Sequence, residues 1–146
     1  LKHQGEQIFD ELVLAAPDID AGEFEKLSTY LESATGRVTL YASSNDAALT
    51  VSREFHGGEY PRAGESMPEP LTMEGVDSID VSRVTYGHSY ISDSGKILDD
   101  LGAILSKRRQ LDETIAEKVE RADDDGGGVY WVLEKSKAAV LSEVPE

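Results

Sequence analysis

Apolar positions along the chain form three short runs that predict β-strands, with helical spacing between them. The runs cover residues 8–16, 38–42 and 76–84, and the first ends in an almost unbroken apolar stretch. Unbroken apolar runs are typical of strands that are covered on both faces, as in a parallel sheet. The alternation of strand and helix therefore predicts an α/β fold with about three parallel strands and flanking helices.

The first strand raises a question about its outer edge. Three strands are too few for a complete doubly wound sheet, and an apolar edge strand without a neighbour is prone to aggregation. We therefore expect further strands of the domain upstream of residue 1.

Helix signals fill the segments between the strands. Asp20 stands at the N-cap position of the first helix, with Glu23 three residues later as in a capping box. An apolar face follows at helical spacing: Phe24, Leu27, Leu31 and Ala34. Gly36 is placed to end this helix. A second, short helix is predicted from a cap at Ser44 or Asn45 to about Phe55.

The C-terminal part has helical spacing over residues 97–122, which predicts one long helix or two joined near Arg109. Its apolar face is longer than a sheet-covering helix needs, so it is also a candidate surface for homo-oligomer formation. An acidic glycine linker follows at 123–128, and Val129–Leu133 is either a short strand or a packed arm. We divide the chain into an α/β part, residues 1–106, and an extension, residues 107–146.

Composition limits the classes of partner. The chain has 29 acidic and 14 basic residues, a formal net charge of −15, and such a surface repels nucleic acids and anionic lipid headgroups. No apolar run approaches the roughly 20 residues of a membrane span. Cysteine is absent, which excludes disulfides and a cysteine nucleophile and is compatible with the cytoplasm and with the periplasm. We expect no nucleic-acid partner and no membrane span.

Candidate catalytic groups follow the predicted strands. Asp46 comes after the second strand and His88 after the third. Sites in open parallel sheets form beyond the carboxyl ends of the strands, so these side chains are expected at one edge of the sheet. An imidazole there can act as a general base, and a carboxylate bonded to its other nitrogen fixes the tautomer. Asp18, after the first strand, is a third candidate at this edge.

Each candidate also has a structural interpretation. Asp46 at the start of a helix interacts favourably with the helix dipole, and His88 directly after a glycine is typical of a turn. Asp18 fits an Asx turn after Pro17. The carboxylates are accompanied by no calcium-loop spacing and no histidine pair at ligand spacing, so we expect neither a metal nor another cofactor.

A long loop separates the second and third strands. The stretch 59–75 contains three of the five prolines, and a loop of this length is usually functional or mobile. We expect it to contribute to a lid or to the wall of a pocket.

Several stretches resemble the C-terminal half of an α/β-hydrolase. They include Tyr-Ala-Ser-Ser-Asn-Asp at 41–46 and Gly-His-Ser-Tyr at 87–90, together with 14–20 and 79–81. The chain is similar, over about residues 8–105, to an uncharacterised bacterial family with esterase- or lipase-like character, long known as a domain of unknown function. The resemblance implies that the three strands are the sixth, seventh and eighth of that fold.

The resemblance also implies catalytic roles: Asp46 would be the triad acid and His88 the triad base of a serine hydrolase. No Gly-x-Ser-x-Gly occurs in the chain, so the nucleophile is expected upstream of residue 1 and this segment alone should be inactive. The implied substrate is a small-molecule ester or related acyl compound. The alternative is a non-catalytic α/β scaffold or an oligomerisation module.

Overall fold

The computed structural model describes residues 7–55, 57, 61–66, 68–85, 95–106, 116–120 and 128–134. These residues form five strands: β1 (Phe9–Ala15), β2 (Thr35–Ala42), β3 (Val76–Asp80), β4 (Ala116–Glu120) and β5 (Val129–Leu133). They also form three helices: α1 (Ala21–Ala34), α2 (Ala47–Phe55) and α3 (Gly95–Leu105). The predicted α/β class and the three predicted strands are confirmed, but the third strand ends at Asp80, before the end of its predicted run at residue 84.

All five strands belong to one sheet with the order β1-β2-β3-β5-β4. The first four strands in this order run parallel, and β4 runs antiparallel to β5. In the described part of the chain β1 therefore forms one edge of the sheet. The apolar residues at its start are exposed, Ile8 to 69% and Phe9 to 57%. An edge strand of this kind was expected from the sequence.

Two hydrophobic clusters cover the two faces of the sheet. Successive residues of a strand point to opposite faces, and β2 divides its side chains accordingly. Val38 and Leu40 pack with Phe24 of α1 on one face. The cluster on the other face joins β2 and β3 to α2 and α3: Tyr41, Ile79, Leu49, Ile97 and Ile104. The sheet is thus covered by α1 on one side and by α2 and α3 on the other.

The segment after residue 106 differs from the prediction. The predicted helix over 97–122 is confirmed up to Leu105, where α3 ends, and is wrong at Ala116–Glu120, which form strand β4. The intervening residues 107–115 and 121–122 lie outside the described residues. The helical spacing did not identify β4, because the conformation of this strand depends on pairing with the apolar strand β5, a non-local contact. The expected homo-oligomer surface therefore does not lie on one continuous helix face.

The predicted alternatives for Val129–Leu133 are resolved in favour of a strand, which lies inside the sheet between β3 and β4. The division of the chain at residue 106 stays a prediction. Strand β5 of the extension pairs with β3 of the α/β part, so both parts contribute strands to one sheet.

On the outer strand β4, Lys118 Nζ donates a hydrogen bond to Glu120 Oε1 at 2.9 Å, and this bond lowers the pKa of the exposed Glu120 carboxyl.

Helix α1 begins as predicted and ends differently. The Asp20 side chain accepts a hydrogen bond from the Glu23 amide at 3.1 Å. At the other end Thr35, and not Gly36, is the C-cap, and its amide donates to the Leu31 carbonyl. Gly36 lies in β2, where a Cβ would come within 2.7 Å of the Asp10 carbonyl oxygen. The glycine therefore allows β1 to approach closely, and it does not end the helix.

Replacing Asp20 by alanine is expected to lower the free energy of unfolding by about 1 kcal/mol, because the Glu23 amide loses its partner. Urea denaturation followed by circular dichroism measures the change. Asp20→Asn keeps a capping oxygen and should cost clearly less. Equal losses in the two variants would contradict a capping role for this side chain.

Candidate functional site

Asp46 lies at the carboxyl end of β2 and its side chain is buried, with a residue exposure of 1%. Its Oδ1 accepts hydrogen bonds from the amides of Ala48 and Leu49 at 3.0 and 3.1 Å. Asp46 is thus the cap of α2, where Ser44 or Asn45 had been predicted. Two amide donors fix the orientation of this carboxylate beyond the carboxyl end of β2.

Hydrogen bonds join the loop after β2 to the turn after β3. The hydroxyls of Ser43 and Thr85, both buried, lie 3.2 Å apart. Asn45 Nδ2 donates to the carbonyls of Ser82 and Thr85 at 2.7 and 3.2 Å. The Ser44 amide donates to Ser82 Oγ at 2.8 Å. The residues expected to cap α2 instead hold these two loops together.

His88, the second predicted catalytic residue, belongs to residues 86–94, which lie outside the described residues. The described chain before it ends at Thr85, which is fully buried and donates its hydroxyl hydrogen to the Val81 carbonyl at 2.9 Å. The pairing of His88 with Asp46 therefore stays a prediction.

Asp18 is part of a polar cluster beyond the carboxyl ends of the strands, on the same side of the sheet as Asp46. Arg62 Nε donates to Asp18 Oδ1 at 2.6 Å, and Ser52 Oγ lies 2.8 Å from both carboxylate oxygens. The buried Glu65 accepts from the Arg62 amide at 2.9 Å and pairs with Arg53 at 3.3 Å. These contacts give Asp18 a structural role, because they fasten residues 61–66 to α2 and to the end of β1.

Residues 61–66 cross the carboxyl ends of β1 and β2. The Gly64 amide donates to the Pro17 carbonyl, and the Ser43 amide donates to the Gly64 carbonyl, both at 3.0 Å. The Ala63 amide donates to the Ile19 carbonyl at 2.8 Å. These bonds fasten residues 61–66 to the strand ends, and the role expected for the long loop, in a lid or in a pocket wall, stays a prediction.

A cavity of about 220 Å³, which was not predicted, lies between α3 and the end of β5. It is lined by Lys96, Asp99, Asp100, Ala103 and Leu133. The hydroxyl of Tyr41 donates to the buried carboxylate of Asp100 beside it. The sequence shows only a tyrosine within a predicted strand; because a buried tyrosine hydroxyl usually has a hydrogen-bond partner, a partner could be expected but not identified.

The described residues contain no group of three or more histidine, aspartate or glutamate side chains suited to a metal ion. Within the same residues no helix is both long and apolar enough to cross a bilayer.

A mostly parallel sheet with helices on both faces, and a buried carboxylate beyond a strand end, is an arrangement found in open α/β folds, the α/β-hydrolases among them. The chain matches over residues 2–108 the family described as an alpha/beta hydrolase of unknown function, DUF900. The match covers more than half of the chain, so the chain belongs to this family, and the predicted resemblance is confirmed. No curated protein and no solved structure matches the chain.

Proposed function

We propose that this chain supplies the acid and the base of a serine hydrolase, with Asp46 as the acid and His88 as the base. The nucleophilic serine is expected in sequence that precedes residue 1. The observation that carries the proposal is the position of Asp46, a buried carboxylate at a strand end in a chain of the α/β-hydrolase family. Sites in open parallel sheets form at this place.

The contacts between the two loops support a pairing of Asp46 with His88. The hydroxyls of Ser43 and Thr85 are 3.2 Å apart. Asp46 follows Ser43 by three residues, and His88 follows Thr85 by three residues. Three residues span at most about 11 Å. Both side chains therefore belong to short segments that start from the same hydrogen bond.

The proposed reaction is the hydrolysis of an ester or thioester by acyl transfer. The serine oxygen attacks the acyl carbon while His88 takes the hydroxyl proton, and His88 then protonates the leaving alcohol or thiol. Water next attacks the acyl-enzyme with His88 as the base, which releases a carboxylic acid and restores the serine. Asp46, already oriented by two amides, would fix the imidazole tautomer and stabilise the imidazolium.

Asp46→Asn is expected to lower the pKa of the His88 imidazole, because a neighbouring carboxylate stabilises the protonated ring. Asparagine removes the charge but keeps an oxygen that caps α2. A pH titration of the ¹⁵N-labelled chain by NMR measures the change, and the three histidines, His3, His56 and His88, are assigned by single substitutions.

The matched control is Asp20→Asn, the same change at the cap of α1, which should leave the pKa of His88 where it is. An unchanged pKa of His88 in the Asp46→Asn chain would remove the proposed acid–base pair. Asp46 would then serve only as a helix cap, as the alternative of a non-catalytic scaffold requires.

A further inference from the structure

We infer that Asn45 is a positioning residue for the acid–base pair, an inference that rests on the proposed function. Asn45 directly precedes Asp46 in the chain. Its side-chain amide donates to two carbonyls of the turn after β3, those of Ser82 at 2.7 Å and Thr85 at 3.2 Å. One residue therefore connects the chain that carries the proposed acid with the chain that leads to the proposed base.

The bond to Thr85 acts on the direction in which the chain leaves the turn. A carbonyl lies in the same plane as the peptide nitrogen that follows it. A donor that holds the Thr85 carbonyl therefore orients the peptide group with which the segment toward His88 begins. His88 follows three residues later, so we expect a change in this orientation to alter where the imidazole lies.

The other groups around Asn45 provide a fixed reference for it. The backbone amide of Asn45 donates to Ser43 Oγ at 3.1 Å, and Ser43 Oγ also lies 3.2 Å from Thr85 Oγ1. Thr85 Oγ1 in turn donates to the Val81 carbonyl at 2.9 Å. Ser43 and Thr85 are buried, and a satisfied buried polar network specifies one arrangement of its members.

Asparagine suits this role by its chemistry. A short side chain with two N–H donors on one nitrogen can serve two carbonyls, whereas aspartate offers only acceptors. Asn45 itself is exposed, so water can replace its amide at the carbonyls when the side chain is removed. The fold is therefore expected to survive the substitution while the orientation is lost.

A double-mutant cycle on the pKa of His88 tests the inference. The effect of Asp46→Asn is measured by NMR titration in the unsubstituted chain and again in the Asn45→Ala chain. We expect the decrease in the pKa of His88 to fall in the Asn45→Ala background to less than about half of its original size. In the proposed serine hydrolase, Asn45→Ala is expected to lower kcat roughly 10- to 100-fold with little change in KM.

Ser82→Ala is the matched control, because it removes the acceptor of the Ser44 amide, another contact between the same loops, and leaves the Asn45 bonds in place. It should retain the full effect of Asp46→Asn on the pKa of His88. If Asn45→Ala does not fold, Asn45→Ser, which is too short to reach both carbonyls, replaces it with the same expected loss.

An Asp46→Asn effect of equal size in both backgrounds would overturn the role of Asn45 and leave the acid–base pair standing. An equal loss in Ser82→Ala would overturn its assignment to Asn45. No effect of Asp46→Asn even in the unsubstituted chain would overturn the proposed function itself, together with this inference. The two failures are therefore distinguishable in one set of titrations.

Discussion

In a serine hydrolase that uses the proposed acid–base pair, replacing His88 by alanine is expected to lower kcat for ester hydrolysis by roughly 10²- to 10⁴-fold. In the proposed mechanism, loss of the imidazole would leave the serine hydroxyl without an acceptor for its proton and the leaving group without a donor. Asp46→Asn should produce a loss of the same order, because the imidazole loses the group that fixes its tautomer. KM should change little, since neither side chain is expected to bind the acyl group.

Two assays check this prediction. Hydrolysis of p-nitrophenyl esters gives kcat and KM, and labelling by a fluorophosphonate reports whether the serine is activated. His56→Ala is the matched control, since it removes a histidine outside the proposed pair. Labelling of the His88→Ala protein at the rate of the unsubstituted protein would remove His88 from the mechanism, even if ester turnover were low for another reason.

The parts of the fold that the sequence predicted correctly depend on local signals. The apolar runs of β1, β2 and β3 and the cap at Asp20 are formed by residues near in sequence, so pattern and capping chemistry identify them. Strand β4 was missed because its conformation depends on β5, which lies beyond a linker. The end of α1 was misplaced because Gly36 is required by the approach of β1, and a glycine after a helix has more than one use.

The candidate site divides in the same way. The position of Asp46 followed from where β2 ends, which the apolar run determines. Which of Ser44, Asn45 and Asp46 caps α2 could not be predicted from the apolar run, because Asn45 and Ser44 bond to a turn almost forty residues away. The contact of Tyr41 with Asp100 spans 59 residues, so no spacing along the chain could have predicted it.

Gly64→Ala is expected to lower the free energy of unfolding by about 1–3 kcal/mol, the usual cost of overpacking a well-packed position. A Cβ on Gly64 would lie 2.7 Å from the Ala16 carbonyl carbon and 2.8 Å from its Cα. Both are backbone atoms that cannot rotate away. Relief requires the loop to move outward from the sheet edge, which strains the bonds of Gly64 to Pro17 and Ser43.

Gly102→Ala in α3 is the matched control, because a Cβ there meets nothing within 4 Å. Alanine in a helix interior is favoured over glycine by roughly 0.5–1 kcal/mol, so this variant should be more stable than the unsubstituted chain. Urea denaturation of both variants gives the two changes with opposite signs. Unaltered stability in Gly64→Ala would contradict the close packing of residues 61–66 on the strand ends. Because Ser43 bonds to Gly64 on one side and to Thr85 on the other, an outward shift of the loop should also weaken the connection on which the proposed acid–base pair depends.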